Sequence, residues 1–335
     1  MTPLLFPTEL KLIRKRDSSP AHRRFTTAST DLLLPLHREA NPALDRATAP
    51  RAWSRTAFAL LAAIAFFMAP ISSPAADAPE RHVDGIMDNS FLVEEAYNQE
   101  AGVVQHILTG WYALDRQRGE DDEVWDLSFT QEWPVFSQRH QFSYTIPYSL
   151  VEAGGVTENG VGDVLLNYRY QAYFNEETLM AFAPRFSLVL PTGDEASGLG
   201  EDTLGYQWNL PFSTAIGDSF FAHLNAGLTF LPQAASANDR DVLNYNVGAS
   251  VIYAATSTTH FLVEWVGAWD ELPDVSGRLN REFSCVISPG IRHALNFAND
   301  SQLVIGLAAP LGLTGNAPDY GVFFYMSFEH FFVRQ

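Results

Sequence analysis

From Val103 to the end of the chain, apolar and polar residues alternate in segments of about ten, separated by turn-forming residues. The clearest is DVLLNYRYQAYF, Asp163 to Phe174. Val164, Leu166, Tyr168, Tyr170, Ala172 and Phe174 make one face; Asp163, Leu165, Asn167, Arg169 and Gln171 make the other. A helix would scatter those charges around its girth. Glu123 to Pro134 divides the same way, with Trp125, Leu127, Phe129 and Trp133 opposite Asp126, Ser128, Thr130 and Glu132. The pattern recurs in Val103 to Leu114, Arg139 to Tyr148, Leu179 to Leu190, Thr203 to Phe212 and Phe221 to Phe230. It continues in Leu243 to Tyr253, His260 to Trp269, Glu282 to Arg292, Gln302 to Pro310 and Tyr320 to Val333, which makes twelve strands.

The connections between these strands alternate in length. The odd ones, DRQRGEDD, LVEAGGVTEN, PTGDEASGLGED, PQAASANDRD, DELPDVSGRLNR and LGLTGNAPD, are long and mostly acidic. The even ones contain VFSQ, NEE, GDS, ATSTT and FANDS and are short. Short periplasmic turns, longer extracellular loops and an even strand count define an all-β, transmembrane, antiparallel up-and-down β-barrel of a Gram-negative outer membrane. A soluble β-sandwich also alternates, but it would bury apolar inner faces. Here one face carries Tyr and Trp near strand ends, and the other carries charges that a dry core would not accept.

The polar faces predict a lumen lined by Asp126, Glu132, Asp163, Arg169, Arg185, His223, Glu264, Glu282, Arg292 and Glu329. Two readings compete. These groups line a hydrated pore, or they close a narrow interior through salt bridges and hydrogen bonds.

Ahead of the barrel the sequence changes character. Arg51 and Arg55, the apolar run Ala57 to Phe67 and the small-residue tail Pro70 to Ala78 have the layout of a secretory signal peptide spanning 51–78. Cleavage is expected after Ala75 or Ala78. The apolar run is too short for a membrane-spanning helix, and Pro70 ends it. Residues 1–50 form an Arg-, Pro- and Ser-rich leader with no structural role, for which a start assigned too far upstream is the simplest account. Residues 79–102 are expected as a short periplasmic segment, partly helical. Asn89 or Ser90 would cap the helix, placing Phe91, Glu95 and Asn98 near one face.

Composition sharpens the picture. Hydrophobic residues make up 47% and charged residues 18%, and Phe is the leading aromatic with 24 copies. That is strand chemistry. Cys285 is the only cysteine, which rules out an internal disulfide framework and reads as a small apolar strand residue. Ten of the 21 Lys/Arg and six of the 39 Asp/Glu fall in residues 1–78, leaving 11 cations, all Arg, against 33 carboxylates. A surface near −22 repels phosphate backbones, so nucleic acid is excluded as a partner.

Two motifs stand out. GVGDVLLNYRYQ runs from Gly160 to Gln171, and FAPRFSLVLPTGDEASGLGEDT from Phe182 to Thr203. A GxGD strand start followed by a strand ending in Pro191, Thr192, Gly193 and Asp194 resembles the outer-membrane family named for the MetA pathway of phenol degradation. The resemblance covers the barrel, and it implies a porin-like or transporter-like protein for hydrophobic or aromatic compounds. The same residues also have a purely structural reading, as a tight strand start, a ladder end and a folded-back loop. Asp194, Glu195, Glu201 and Asp202 fit an acidic solvated loop better than a metal site, and neither metal nor cofactor is expected. The aromatic ending common in such barrels is displaced, since Phe328, Phe331 and Phe332 precede Val333, Arg334 and Gln335.

Enzyme chemistry has little support in the chain. Outer-membrane phospholipases pair His with Ser on a twelve-stranded barrel, but no HxSxG-like pair follows His223, and neither G-x-S-x-G nor H-E-x-x-H occurs. His106, His260, His293 and His330 read as interfacial or solvated strand residues. Passive transport of a small-molecule solute through a polar-lined lumen is therefore the leading reading. A structural or ligand-binding barrel is the alternative, and a lipid hydrolase is more remote. The partners expected are outer-membrane lipids, lipopolysaccharide and the barrel-assembly machinery. Sequencing the N-terminus of the exported protein is expected to find nothing before about Ala76; recovery of residues 1–50 would overturn the signal assignment.

Overall fold

The computed structural model describes residues 86, 90–116, 121–153, 156–274, 277–298 and 300–332. The leader and signal segment lie outside the described residues. Twelve antiparallel strands close into a barrel. The first three are β1 (Val103–Arg116), β2 (Asp121–Val135) and β3 (Ser137–Ala153). Three strands are broken by short irregularities: β4 (Val156–Val161, Val164–Tyr170, Tyr173–Asn175), β5 (Met180–Phe182, Arg185–Leu190) and β6 (Gly205–Asn209, Phe212–Ile216). Then follow β7 (Phe220–Ala234), β8 (Arg240–Ala254), β9 (Thr259–Pro273) and β10 (Leu279–Asn296). The last two are β11 (Gln302–Ala308, Leu311–Gly312) and β12 (Tyr320–Phe331). Closure comes from β1 pairing with β12, from Val103 opposite Phe331 to Leu114 opposite Tyr320. No sheet edge is left unpaired at this seam.

Period-two alternation decides which side chains meet lipid. Trp125, Leu127, Tyr168, Trp208, Phe261, Val263 and Leu307 are exposed on the outside. Their inward neighbours in sequence, such as Asn167, Arg169, Gln207, Asn209 and Glu264, are buried. The phase slips after Gln171. Tyr173 is exposed, while the Phe174 ring stands edge-on to Tyr97 at 6.3 Å inside the barrel. Phe174 therefore leaves the outer face that strict alternation assigned to it, because the strand is interrupted between Tyr170 and Tyr173.

The short turns lie at the end where the chain enters β1. Phe136 alone, at φ 64°, separates β2 from β3, and Gly217 takes φ 62° in the turn before β7. At the other end, two of the expected loops are largely strand. LVEAGGVTEN continues the β3–β4 ladder from Tyr148 opposite Val161 to Ala153 opposite Val156. DELPDVSGRLNR extends β9 and β10 as far as Pro273 opposite Leu279. The alternation simply persists into these segments, so backbone pairing continues beyond the lipid-facing band.

The long connection after β5 is folded rather than loose. The Asp163 carboxylate accepts N–H groups from Thr192 (3.0 Å), Gly193 (2.9 Å) and Glu201 (2.9 Å). Thr192 Oγ1 donates to Gly162 O at 2.9 Å. A Cβ on Gly193 would stand 2.1 Å from Leu199 O, so the two backbone runs approach as closely as glycine permits. Asp194 accepts from Ala196 N and Ser197 Oγ, capping a short turn of 3-10 helix, Glu195–Ser197. Pro191 lies exposed where the ladder stops. Asp163 is thus half-buried beneath this loop with its carboxylate turned to loop backbone, a correction to its place among the lumen-lining groups. An Asp163→Ala variant removes one acceptor serving three donors, each such charged bond being worth about 1.5–3 kcal/mol. Limited proteolysis is expected to cut between Pro191 and Glu201 at least tenfold faster in the variant, with barrel heat-modifiability on gels unchanged.

Candidate functional site

The lumen is not empty. Residues 90–99, SFLVEEAYNQ, lie inside the barrel as a run of bends, and Phe91 through Gln99 are each at most 5% exposed. No helix forms here, contrary to the capped helix expected from Asn89 or Ser90. A helix would satisfy its own backbone. This segment uses the wall instead.

Its backbone groups are met by inward side chains. Glu264 Oε1 accepts from Leu92 N (2.8 Å) and Val93 N (3.0 Å). Asn225 grips Glu94 at both ends, its Oδ1 accepting from the N–H at 2.6 Å and its Nδ2 donating to the carbonyl at 2.7 Å. Ser213 Oγ accepts from Ala96 N at 2.8 Å, and Gln171 Nε2 donates to Ala96 O at 3.0 Å. Gln141 Oε1 accepts from Gln99 N at 2.8 Å, and Ser90 Oγ meets Ser250 Oγ at 2.7 Å.

One carboxylate holds the centre. Glu94 Oε1 receives Arg169 Nη1 at 3.2 Å, and Oε2 receives Arg185 Nε at 2.9 Å and Asn209 Nδ2 at 2.6 Å. Arg169 spends its other donors on the same segment: Nε to Asn98 Oδ1 (2.8 Å), Nη1 to Glu95 O (3.0 Å) and Nη2 to Tyr97 O (2.7 Å). Arg185 turns outward from the segment to Asn167, Ser187 and Gln207 on the wall. Burial raises the Glu94 pKa, while Arg185, Arg169 and the Asn209 amide act against it and favour the carboxylate.

The apolar end is equally specific. The Phe91 ring packs 5.7 Å from Phe323 and 5.3 Å from Tyr325. It fills a socket opened by two glycines, since a Cβ on Gly306 would stand 2.2 Å from the ring and one on Gly290 2.9 Å from it. Val93 is fully buried against Gly248. Leu92, Val93 and Phe91 join the cluster containing Ile107, Trp111, Val266, Val286 and Phe323.

Several groups expected in the lumen converge on this segment: Arg169, Arg185 and Glu264 directly, Glu132 through its bond to Gln141, and His223 through Ser213. The His223 Nδ1 to Ser213 Oγ distance is 2.7 Å, but the hydroxyl oxygen already accepts the Ala96 N–H. That is the bonding of an anchor. Arg292 is buried beside His260, with Nη2 3.3 Å from Nδ1. Asp126 bonds Ser149 Oγ at 2.5 Å, away from the segment. Glu282 and Glu329 are half-exposed near opposite ends of the barrel, in register with Asp270 and Gln105. Sequence reasoning passed over Asn209, Asn225, Ser213, Gln141 and Ser250, and placed Gln171 on the polar face without a role. Their one signal was an inward position on an alternating strand, shared by many polar residues that do nothing comparable.

On the periplasmic side of the segment lies a cavity of about 520 Å³. Leu179, Ala215, Phe221, Ala254 and His260 form its walls; Glu176, Glu177 and Asp218 belong to its rim of turns, and Ile86 also borders it.

No family model and no curated protein matches the sequence. Among solved structures, the chain is similar to an outer membrane channel from Pseudomonas putida F1, at 14% identity and TM-score 0.52, covering 70% of this chain and 97% of that one. Looser likenesses are to the NanC porin (8% identity, TM-score 0.44, 68% of this chain and 100% of that one) and to the translocator domain of the autotransporter NalP from Neisseria meningitidis. The latter is 10% identical at TM-score 0.43, covering 69% and 89%. The likeness bears out the outer-membrane β-barrel fold that the phenol-degradation resemblance implied. The PTGD motif is accounted for by the loop that Asp163 holds.

Removing Glu94 leaves two guanidinium groups buried without their anion, a loss of about 3–5 kcal/mol by precedent for broken buried pairs. A Glu-specific protease is expected to cut at Glu95 in a Glu94→Ala variant and to spare the native barrel. The native protein should stay protected at neutral pH; equal cleavage of both proteins there would contradict the assignment.

Proposed function

We propose that this protein is an outer-membrane channel for passive diffusion of small solutes, held shut by residues 90–99 of its own chain. The observation that carries this reading is how the segment is held. Its described contacts with the wall are side-chain hydrogen bonds, the Glu94 carboxylate shared by Arg169 and Arg185, and an aromatic socket, with no strand pairing to the barrel. Such contacts can exchange with water or solute. A segment built only to fill a static barrel would gain more from apolar packing than from a carboxylate shared by two arginines.

The solute class follows from the socket. Between Phe323, Tyr325, Gly290 and Gly306 the wall accepts a six-membered ring, and Phe91 occupies that place when the segment is in. Small hydrophobic or aromatic compounds fit the same slot, flanked by the amide and guanidinium groups of Asn225, Asn209, Arg169 and Arg185 for their polar ends. Export through the signal peptide 51–78, insertion by the assembly machinery and contact with lipid and lipopolysaccharide complete the proposal.

In a planar bilayer the native protein is expected to show little or rare conductance, and a variant lacking residues 90–99 a steady conductance several-fold higher. Flux of a small aromatic solute should rise in parallel. If the deletion variant folds, by heat-modifiability, and remains silent, the barrel is a structural one and the proposal fails.

A further inference from the structure

The seam between the first and last strands carries two histidines on its outer face. His106 of β1 and His330 of β12 point their Nε2 atoms at each other across 3.4 Å. The ring centroids are 5.5 Å apart and the planes lie within 20°, so the imidazoles meet nitrogen to nitrogen. Both are half-exposed. His106 is in register with Gln131 on β2, which accepts the Tyr144 hydroxyl at 2.8 Å. That level belongs to the polar, periplasmic edge of the lipid band, where an aqueous ion can reach the rings.

We infer that this pair is a binding site for a divalent transition-metal ion of the zinc type, clamping β1 to β12. Two nitrogens bound at about 2.0–2.1 Å to one tetrahedral ion stand about 3.3 Å apart, so the observed separation already matches two ligands of one sphere. The outer ring nitrogen of His330 supports the same assignment. Its Nδ1 lies 3.4 Å from Phe331 O, an acceptor that favours the Nδ1–H tautomer, in which Nε2 presents a lone pair. His106 needs only the matching tautomer and a small ring rotation to offer its own lone pair. Phe129 and Phe328 pack 6.3 and 6.5 Å from His106 and hold the ring in place. Among the described residues no group of three or more potential ligands forms, so water fills the other positions and micromolar rather than tighter binding is expected. The ion would join the strands where the barrel closes on itself.

The test uses the full protein folded in detergent without lipopolysaccharide, and zinc alone. Calorimetry is expected to give one saturable ion per barrel, and zinc to raise the temperature at which the barrel unfolds on gels. Both effects should be lost in His106→Gln and in His330→Gln and kept in His140→Gln and His293→Gln, the other exposed strand histidines. Chemical footprinting of the unaltered protein gives an independent reading, with zinc protecting His106 and His330 but not His140 or His293. Absence of saturable binding, binding that survives loss of both histidines, or protection of neither ring would overturn the site.

Discussion

An extended segment inside a barrel cannot hydrogen-bond to itself, and every strand around it is already paired on both sides. Each N–H and C=O of residues 90–99 must therefore be met by a side chain from the wall or remain buried and unsatisfied, at about 1–3 kcal/mol each. That constraint explains the composition of the lumen better than any requirement of a pore. It selects amides and hydroxyls, which can donate or accept as needed, and it explains why Asn225 takes both backbone groups of Glu94. It also explains why Arg169 gives two of its donors to backbone carbonyls and not to carboxylates alone.

Charge in this lumen is placed around that need. Glu94 is the anion that lets two arginines sit at 2–4% exposure. The pair of cations in turn fixes where the segment turns, because Arg169 spans Glu94 to Asn98. On the other flank, glycines do by absence what the arginines do by contact. Gly248 on β8 and Gly290 and Gly306 on the paired strands β10 and β11 are small positions, and together they admit Val93 and Phe91. Polar grip and apolar socket act on opposite ends of the same ten residues.

Much of the barrel was legible in the chain because the membrane imposes one rule on every strand. Alternation of Leu166, Tyr168 and Tyr170 with Leu165, Asn167 and Arg169 needs no tertiary knowledge to read. The long and short connections gave the direction of each strand. Loop identity was less secure, since LVEAGGVTEN reads as turn chemistry while its backbone continues a ladder. That residues 79–102 could reach the barrel mouth was legible, but not how residues 90–99 are held inside it. Glu94 and Glu95 look alike in sequence, and only the arrival of Arg169 and Arg185 from β4 and β5 distinguishes them. The helix expected after Asn89 rested on local capping, which the wall's hydrogen bonds outweigh.

The path of residues 86–102 has a topological consequence. Gly102, at φ 80°, turns the chain into β1 at the rim that carries the short turns, and Ile86 borders the cavity at that same rim. Residues 90–102 reach into the barrel and come back to that rim, and Ile86 lies there as well. Residues 90–99 can therefore leave by the opening at which they return to β1, with no passage through the outer end of the barrel.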